Sequence, residues 1–234
     1  MTSLTFDEFM NSTKPEELFE GAYPFMHLMM QYRCAMQEVQ TKLEVLNTEL
    51  SLDQEHNPFE SISGRIKKPI SIFDKLKKMD LPVSIENIEK HLHDVAGIRV
   101  ICTFQKDIYI LAEKLCAQDD IRVLARKDYI KNPKPNGYRS LHLILEIPVF
   151  FAEGKKYMQV EVQFRTIAMD FWASVEHKIY YKKAINCNTA QITEKLRLCA
   201  EHINGIAMEL EDISKEIEIQ KEYGCPDEVL KRKS

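Results

Sequence analysis

Glycine is scarce in this chain. Seven glycines in 234 residues is about half the usual share. None falls in a GxGxxG or GxxxxGK(S/T) arrangement. Both Gly-rich phosphate cradles are therefore excluded, and any phosphate must be held largely by lysine and arginine side chains. The six cysteines, at positions 34, 102, 116, 187, 199 and 225, include no CxxC pair. That spacing argues against a zinc site or a thioredoxin-like motif, and several of them read as small buried hydrophobes. No stretch approaches the roughly 18 apolar residues of a membrane span. The opening MTSLTFDEFMN carries acids where a secretory signal would carry positive charge. A cytoplasmic chain with no membrane partner is expected. Large net charge is also missing: −4, with a pI near 6.0, does not suit uniform coating by nucleic acid.

What is present is 44% hydrophobic and 29% charged residues, the balance of a soluble globular chain of one domain, with or without helical extensions. The charge is segregated. Six basic residues and one acid lie between Arg65 and Lys78, and five basic residues and one acid between Arg126 and Arg139. Eight acids and two bases lie between Glu209 and Glu228. The middle of the chain can attract an anion that the C-terminal end repels.

Helical periodicity predicts a long helix from Pro24 to Leu52 with a stripe of Leu28, Tyr32, Ala35, Val39, Leu43 and Leu46. A separate short helix is placed near Pro15. Pro69 suits a first helical position, and residues 69–79 follow with Ile72, Leu76 and Met79 on one stripe and Ser71, Lys75 and Lys78 on another. Ser84 caps a helix through His91. Helices are expected over 106–118, 166–181 and, as one or two pieces, 189–222. Strands are expected over 97–104, 121–125, 140–147 and 157–165, with a Pro- and Gly-marked loop at 131–137. The order argues a mixed α+β domain flanked by helices.

A strand's period of two sorts these residues into faces. Ile98, Val100, Cys102 and Phe104 share one face and Arg99 the other. Leu141, Leu143 and Leu145 oppose His142. Met158, Val160, Val162 and Phe164 oppose Gln159, Glu161, Gln163 and Arg165. If the strands share a sheet, Arg99, His142, Glu161 and Gln163 converge. One reading is a plain solvent face. The other is a site in which Asp94 joins Glu161 around a cation, amid basic segments, for nucleotide phosphoryl chemistry. Glycoside hydrolysis also uses paired carboxylates, but a neutral sugar does not need the cationic surround. His91 and His93 are read as structural, and Phe171 and Trp172 as core.

GRIKKPISIFDK, HDVAGIRVIC, NGYRSLHL, EVQFRT and DFWASVEHKIYYK stand in order over residues 64–183. Together they resemble the synthetase domain of the RelA/SpoT family, in the form of a stand-alone small alarmone synthetase. KPNGYRSLH and DFWASVEHKIYYK look nearest to the RelP type. The resemblance implies a mixed, nucleotidyltransferase-like sheet with helices on both sides. It implies GTP pyrophosphokinase activity, which moves the β,γ-pyrophosphate of ATP to the 3′-hydroxyl of GTP or GDP and leaves AMP. It implies that Asp94 and Glu161 bind Mg²⁺ and that Glu161 activates the 3′-hydroxyl. Arg65 and Arg99 would stack on adenine, and Lys67, Ser71 and Lys75 would contact the ATP phosphates. Tyr138 would stack on guanine, with Lys134, Arg139, His142 and Gln163 around the same nucleotide. Asp170 stands where some relatives have Asn, and no guanine contact is carried over to it. A synthetase unit at 56–183, between helical extensions at 1–55 and 184–234, is implied, as is a homotetramer through those extensions. No hydrolase activity is expected, and an RNA partner is left open without being indicated. The alternative carried alongside is a non-catalytic nucleotide- or RNA-binding regulator that keeps the cationic groove.

Overall fold

A computed structural model describes residues 15–53, 57–181 and 189–223. Its elements run α1 (Pro15–Asp53), β1 (Phe59–Ile66), α2 (Pro69–Lys78), α3 (Ile85–His91), β2 (Ala96–Cys102), α4 (Gln105–Cys116), β3 (Arg122–Asp128), β4 (Leu141–Phe151), β5 (Gly154–Thr166), α5 (Ile167–Tyr181) and α6 (Thr189–Tyr223). The α+β expectation holds. The sheet has five strands in the order β1-β2-β5-β4-β3. Only β2 and β5 run parallel; the other neighbours are antiparallel.

Helix α1 is one helix, not two. It continues through Pro24, although proline removes an N–H from the ladder. The packed stripe begins just beyond it, with Phe25 and Leu28, so packing downstream carries the helix. Leu28, Tyr32, Ala35, Val39 and Leu43 are buried as the stripe predicts, and Leu46 packs against them half-buried. Burial of each such side chain contributes about 1.5–3 kcal/mol. The same core takes Ile72 and Leu76 of α2, Ile88 of α3, Ile108, Leu111 and Leu115 of α4, and the apolar faces of β2, β4 and β5. Met79 does not join its stripe. It is the C-cap of α2 and is exposed. Ser84 caps α3 by accepting from the Asn87 amide at 3.1 Å.

Strand β1 was not expected. FESISGRI has two half-buried isoleucines on one face and mostly exposed residues on the other, so its apolar signal is weak, as befits an edge strand. The strand at 97–104 ends earlier, at Cys102. Phe104 instead precedes α4 and donates its amide to Asp107 at 3.0 Å. A smaller apolar cluster, Trp172, Ala173 and Ala200 with Tyr138, Leu196 and Ile203, joins α5 and α6 to the segment before β4. Trp172 is core as expected, but Phe171 is exposed.

Candidate active site

Sheet register assembles the site. One cross-strand row runs Arg65, Gly97, Glu161, Ile144, and the next runs Ser63, Arg99, Gln163, His142. Residues two apart on a strand share a face, so Arg65, Arg99, Glu161, Gln163 and His142 lie on one face of the sheet. The converging face inferred from periodicity therefore exists. It is not a plain solvent face, because His142 is 8% exposed and Ile144 4% exposed. An open cleft of about 400 Å³ is lined by Ser63, Gly64, Arg65, Asp94, Gly97, Arg99, Glu161 and Gln163 among others.

Asp94 enters this cleft from the turn before β2. Lys67, just after β1, reaches its Oδ2 at 2.6 Å, and Lys75 of α2 reaches its Oδ1 at 2.8 Å. The Lys67 amide also donates to the Val95 carbonyl at 2.8 Å, which ties the two turns together. Burial opposes ionisation of Asp94, but the two lysines outweigh it and hold the carboxyl below its ordinary range. Ser71 lies one turn before Lys75 on α2, half-buried, which puts both on one helix face.

Glu161 is held at both oxygens. His142 Nδ1 lies 3.0 Å from Oε1, and Gln163 Nε2 donates to Oε2 at 2.8 Å. Burial raises its pKa, yet the bonds from His142 and Gln163 prevail and lower it, against a further upward push from Asp94. Both carboxylates of the cleft are therefore ionised at neutral pH.

On the other side of His142 stands Tyr138. Its hydroxyl lies 2.8 Å from His142 Nε2 and accepts from Arg165 Nη2 at 2.8 Å. A single assignment satisfies the whole chain: Arg165 donates to Tyr138, Tyr138 to His142, and His142 through Nδ1–H to Glu161. The Lys134 ammonium lies 4.9 Å from the Tyr138 ring centroid and 4.8 Å from that of Tyr129, a cation between two aromatic rings. The loop turns at Gly137, whose φ of +89° suits glycine.

Of the twelve residues singled out from the sequence, Ser71 lies on the Lys75 face of α2, and Arg65, Asp94, Arg99, Glu161 and Gln163 line the cleft. Lys67, Lys75 and His142 bond to its carboxylates, and Tyr138 and Lys134 stand at its far end, beside His142. Arg139 is placed differently. Its Nη1 donates to the Ile130 carbonyl at 3.0 Å, and it lines a pocket with Trp172, Ala200 and Glu211 away from the cleft. Two residues at the centre were not assigned a role. Arg165 is 6% exposed and bonds to Tyr138, Gln163 (3.0 Å) and Asp170 (2.8 Å). Asp170 also lies 3.4 Å from Arg99. Arg165 shares the period-two face with Glu161 and Gln163, so that pattern contained the signal.

Two ionised carboxylates, several lysines and arginines and a cation-flanked tyrosine meet on one face of a mixed sheet, an arrangement chemically suited to a polyanionic ligand and a hard cation. Residues 64–186 match the family described as the region found in RelA / SpoT proteins. The chain is 42% identical over 190 residues to the GTP pyrophosphokinase YwaC of Bacillus subtilis, covering 81% of this chain and 90% of that protein. It is 36% identical over 189 residues to YjbM, a second GTP pyrophosphokinase of that organism, covering 81% and 86%. Among solved structures it resembles the Bacillus subtilis small alarmone synthetase 1 bound to its product pppGpp, with a TM-score of 0.76, 34% identity and coverage of 83% and 98%. The small alarmone synthetase 2 of the same organism gives 0.73, 40%, 82% and 99%. The chain belongs to the RelA/SpoT family.

Proposed function

We propose that the protein is a GTP pyrophosphokinase that transfers the β,γ-pyrophosphate of ATP to the 3′-hydroxyl of GTP or GDP, giving pppGpp or ppGpp and AMP. The observation that carries this reading is the meeting of Asp94 and Glu161 with Arg65 and Arg99 in one cleft. The names of the relatives, and the product and the ATP analogue AMPCPP bound in structures of synthetase 1, support it.

Arg65 and Arg99 take the adenine between planar guanidinium groups. Lys67, Ser71 and Lys75 take the phosphates; the two lysines neutralise Asp94 until a polyphosphate competes for them. Tyr138 stacks on guanine, with Lys134, His142 and Gln163 contributing to the same nucleotide, while Arg139, bonded to the Ile130 carbonyl, ties the two ends of the loop before β4. Glu161, held as an anion by His142 and Gln163, accepts the 3′-hydroxyl proton. The 3′-oxygen then bonds to the β-phosphorus, the bond from that phosphorus to the α,β-bridging oxygen breaks, and AMP leaves with that oxygen.

The donor set fits Mg²⁺. Two hard carboxylates line one cleft, and no cluster of three ligating side chains exists among the described residues. Mg²⁺ takes one or two carboxylates and completes its shell with water and substrate phosphates. Asp94 and Glu161 would hold it, and when bound it neutralises charge on the transferring group.

We assign the synthetase unit to residues 56–183, between extensions at 1–55 and 184–234 whose described residues form the helices Pro15–Asp53 and Thr189–Tyr223, and a homotetramer formed through those helices. A cytoplasmic location accords with the finding that no helix among the described residues is long and apolar enough to cross a membrane. The test is incubation with labelled ATP, GTP or GDP and Mg²⁺, with products separated by anion exchange. AMP together with pppGpp or ppGpp is the expected result. Folded protein that yields neither product would leave a nucleotide-binding regulator in its place.

A further inference from the structure

One carboxylate oxygen joins the two halves of the cleft. Asp170 Oδ1, in the first turn of α5, lies 2.8 Å from Arg165 Nη1 and 3.4 Å from Arg99 Nη1. Arg99 belongs to the proposed adenine side. Arg165 belongs to the guanosine side, because its Nη2 donates to the Tyr138 hydroxyl at 2.8 Å and to Gln163 Oε1 at 3.0 Å. The one carboxylate thus contacts both arginines. We propose that the Asp170–Arg165 bridge couples the two substrates, so that a nucleotide on Arg99 tightens binding of the guanosine nucleotide at Tyr138.

The coupling rests on the functional reading above and on unequal sharing. Asp170 faces two guanidinium groups with one charge, and the longer contact is to Arg99. An adenine that stacks on Arg99 within the cleft competes with its 3.4 Å contact to Asp170 and leaves Asp170 to Arg165 alone. Arg165 is then held more firmly, and with it the Tyr138 hydroxyl and the Gln163 amide. The ordering of the guanosine side is met by the first ligand, which is a source of positive cooperativity. The crowding of cations is independent support. Burial depresses the Arg99 pKa first, Arg165 and Arg65 depress it further, and Asp170 opposes them. Asp170 is a positioning residue in this scheme, since it acts through its neighbours.

The test is calorimetric titration of the full chain with GDP and Mg²⁺, with and without saturating AMPCPP. In the wild type the analogue tightens GDP about fivefold or more, the lower end of usual site-to-site coupling. In Asp170→Ala that ratio falls to near one while GDP alone still binds. Asp170→Asn keeps an oxygen acceptor without the charge and gives an intermediate ratio. A merely structural role would lower both GDP affinities together and leave their ratio unchanged. A wild-type ratio of one, or the wild-type ratio in Asp170→Ala, overturns the proposal. Should Asp170→Ala fail to fold by circular dichroism, Arg165→Lys serves in its place, because an ammonium cannot span Asp170, Tyr138 and Gln163 at once. The wild-type ratio in that variant overturns the proposal equally. A wild type that binds neither nucleotide overturns the functional reading itself, and the bridge with it.

Discussion

Glu161 carries the sharpest residue-scale expectations. Its folded pKa lies below the ordinary 4.5, because bonds from His142 and Gln163 outweigh burial. The proton-accepting form therefore persists as pH falls to that value and is lost only beneath it. The same sign governs stability. A carboxylate whose pKa is depressed by folding stabilises the fold above its unfolded pKa and gives that up as pH falls through the folded one. Asp94, below 3.8, behaves alike. A carboxyl NMR titration should give Glu161 a midpoint below 4.5; a higher midpoint would contradict the bonding described. Glu161→Gln should lower turnover by about 10²–10⁴-fold, the usual worth of a general base, with the fold retained and the melting temperature modestly lowered, because the charged acceptor of the His142 and Gln163 bonds is lost. Retained turnover would remove Glu161 from the mechanism. Tyr138→Ala should weaken guanosine-nucleotide binding by about 1–3 kcal/mol, the worth of stacking a base on an aromatic ring. Unchanged affinity in the calorimeter would make Tyr138 an ordinary turn residue.

At the scale of elements, strands were legible where both faces had a clear character. β2, β4 and β5 each set an apolar face against a more polar one, so Arg99, His142, Glu161 and Gln163 were expected to converge if the strands shared a sheet. Register then did what periodicity could not. It set Arg65 beside Gly97 and Gly97 beside Glu161, and it depended on β1, whose weak alternation hid it. Asp170 and Arg165 were illegible as a pair, because α5 must turn back against the sheet before they meet. Arg139 shows the converse: its neighbour in sequence, Tyr138, faces the cleft, while Arg139 bonds to Ile130 instead. The contact between α6 and the loop before Tyr138 was equally hidden. A Cβ on Gly137 would stand 2.5 Å from the Ala200 Cβ and 3.1 Å from the Arg197 Cα, in a backbone with φ +89°. Gly137→Ala should therefore cost about 1–3 kcal/mol in backbone strain and push α6 from the loop. Thermal melting and GDP titration should both register the change. If neither moves, the guanosine loop is independent of α6.

At the scale of the molecule, α6 has two characters. One side docks to the chain: Trp172 Nε1 donates to the Leu196 carbonyl at 3.1 Å, and buried Glu211 accepts the Gln105 amide at the start of α4 at 3.0 Å. The other side shows Ile206 (59% exposed), Leu210 (57%), Ile213 (51%) and Ile217 (51%). Spacings of four, three and four residues put these on one stripe. Leu210, Ile213 and Ile217, with Ile110 of α4, line a groove of about 710 Å³. A contiguous apolar surface of this kind suits an interface, and in the homotetramer proposed above its partner would be a second copy. An acidic helix approaching its own copy carries like charge, so association must come from the apolar stripe, at about 1.5–3 kcal/mol for each side chain fully buried. Raising ionic strength should accordingly strengthen the assembly by screening that repulsion. Replacing Ile213 and Ile217 together by lysine should shift sedimentation toward the 27.3 kDa chain without loss of helicity. A wild type that already sediments as that single chain at micromolar concentration would show that the stripe is no interface, and the tetramer would go with it.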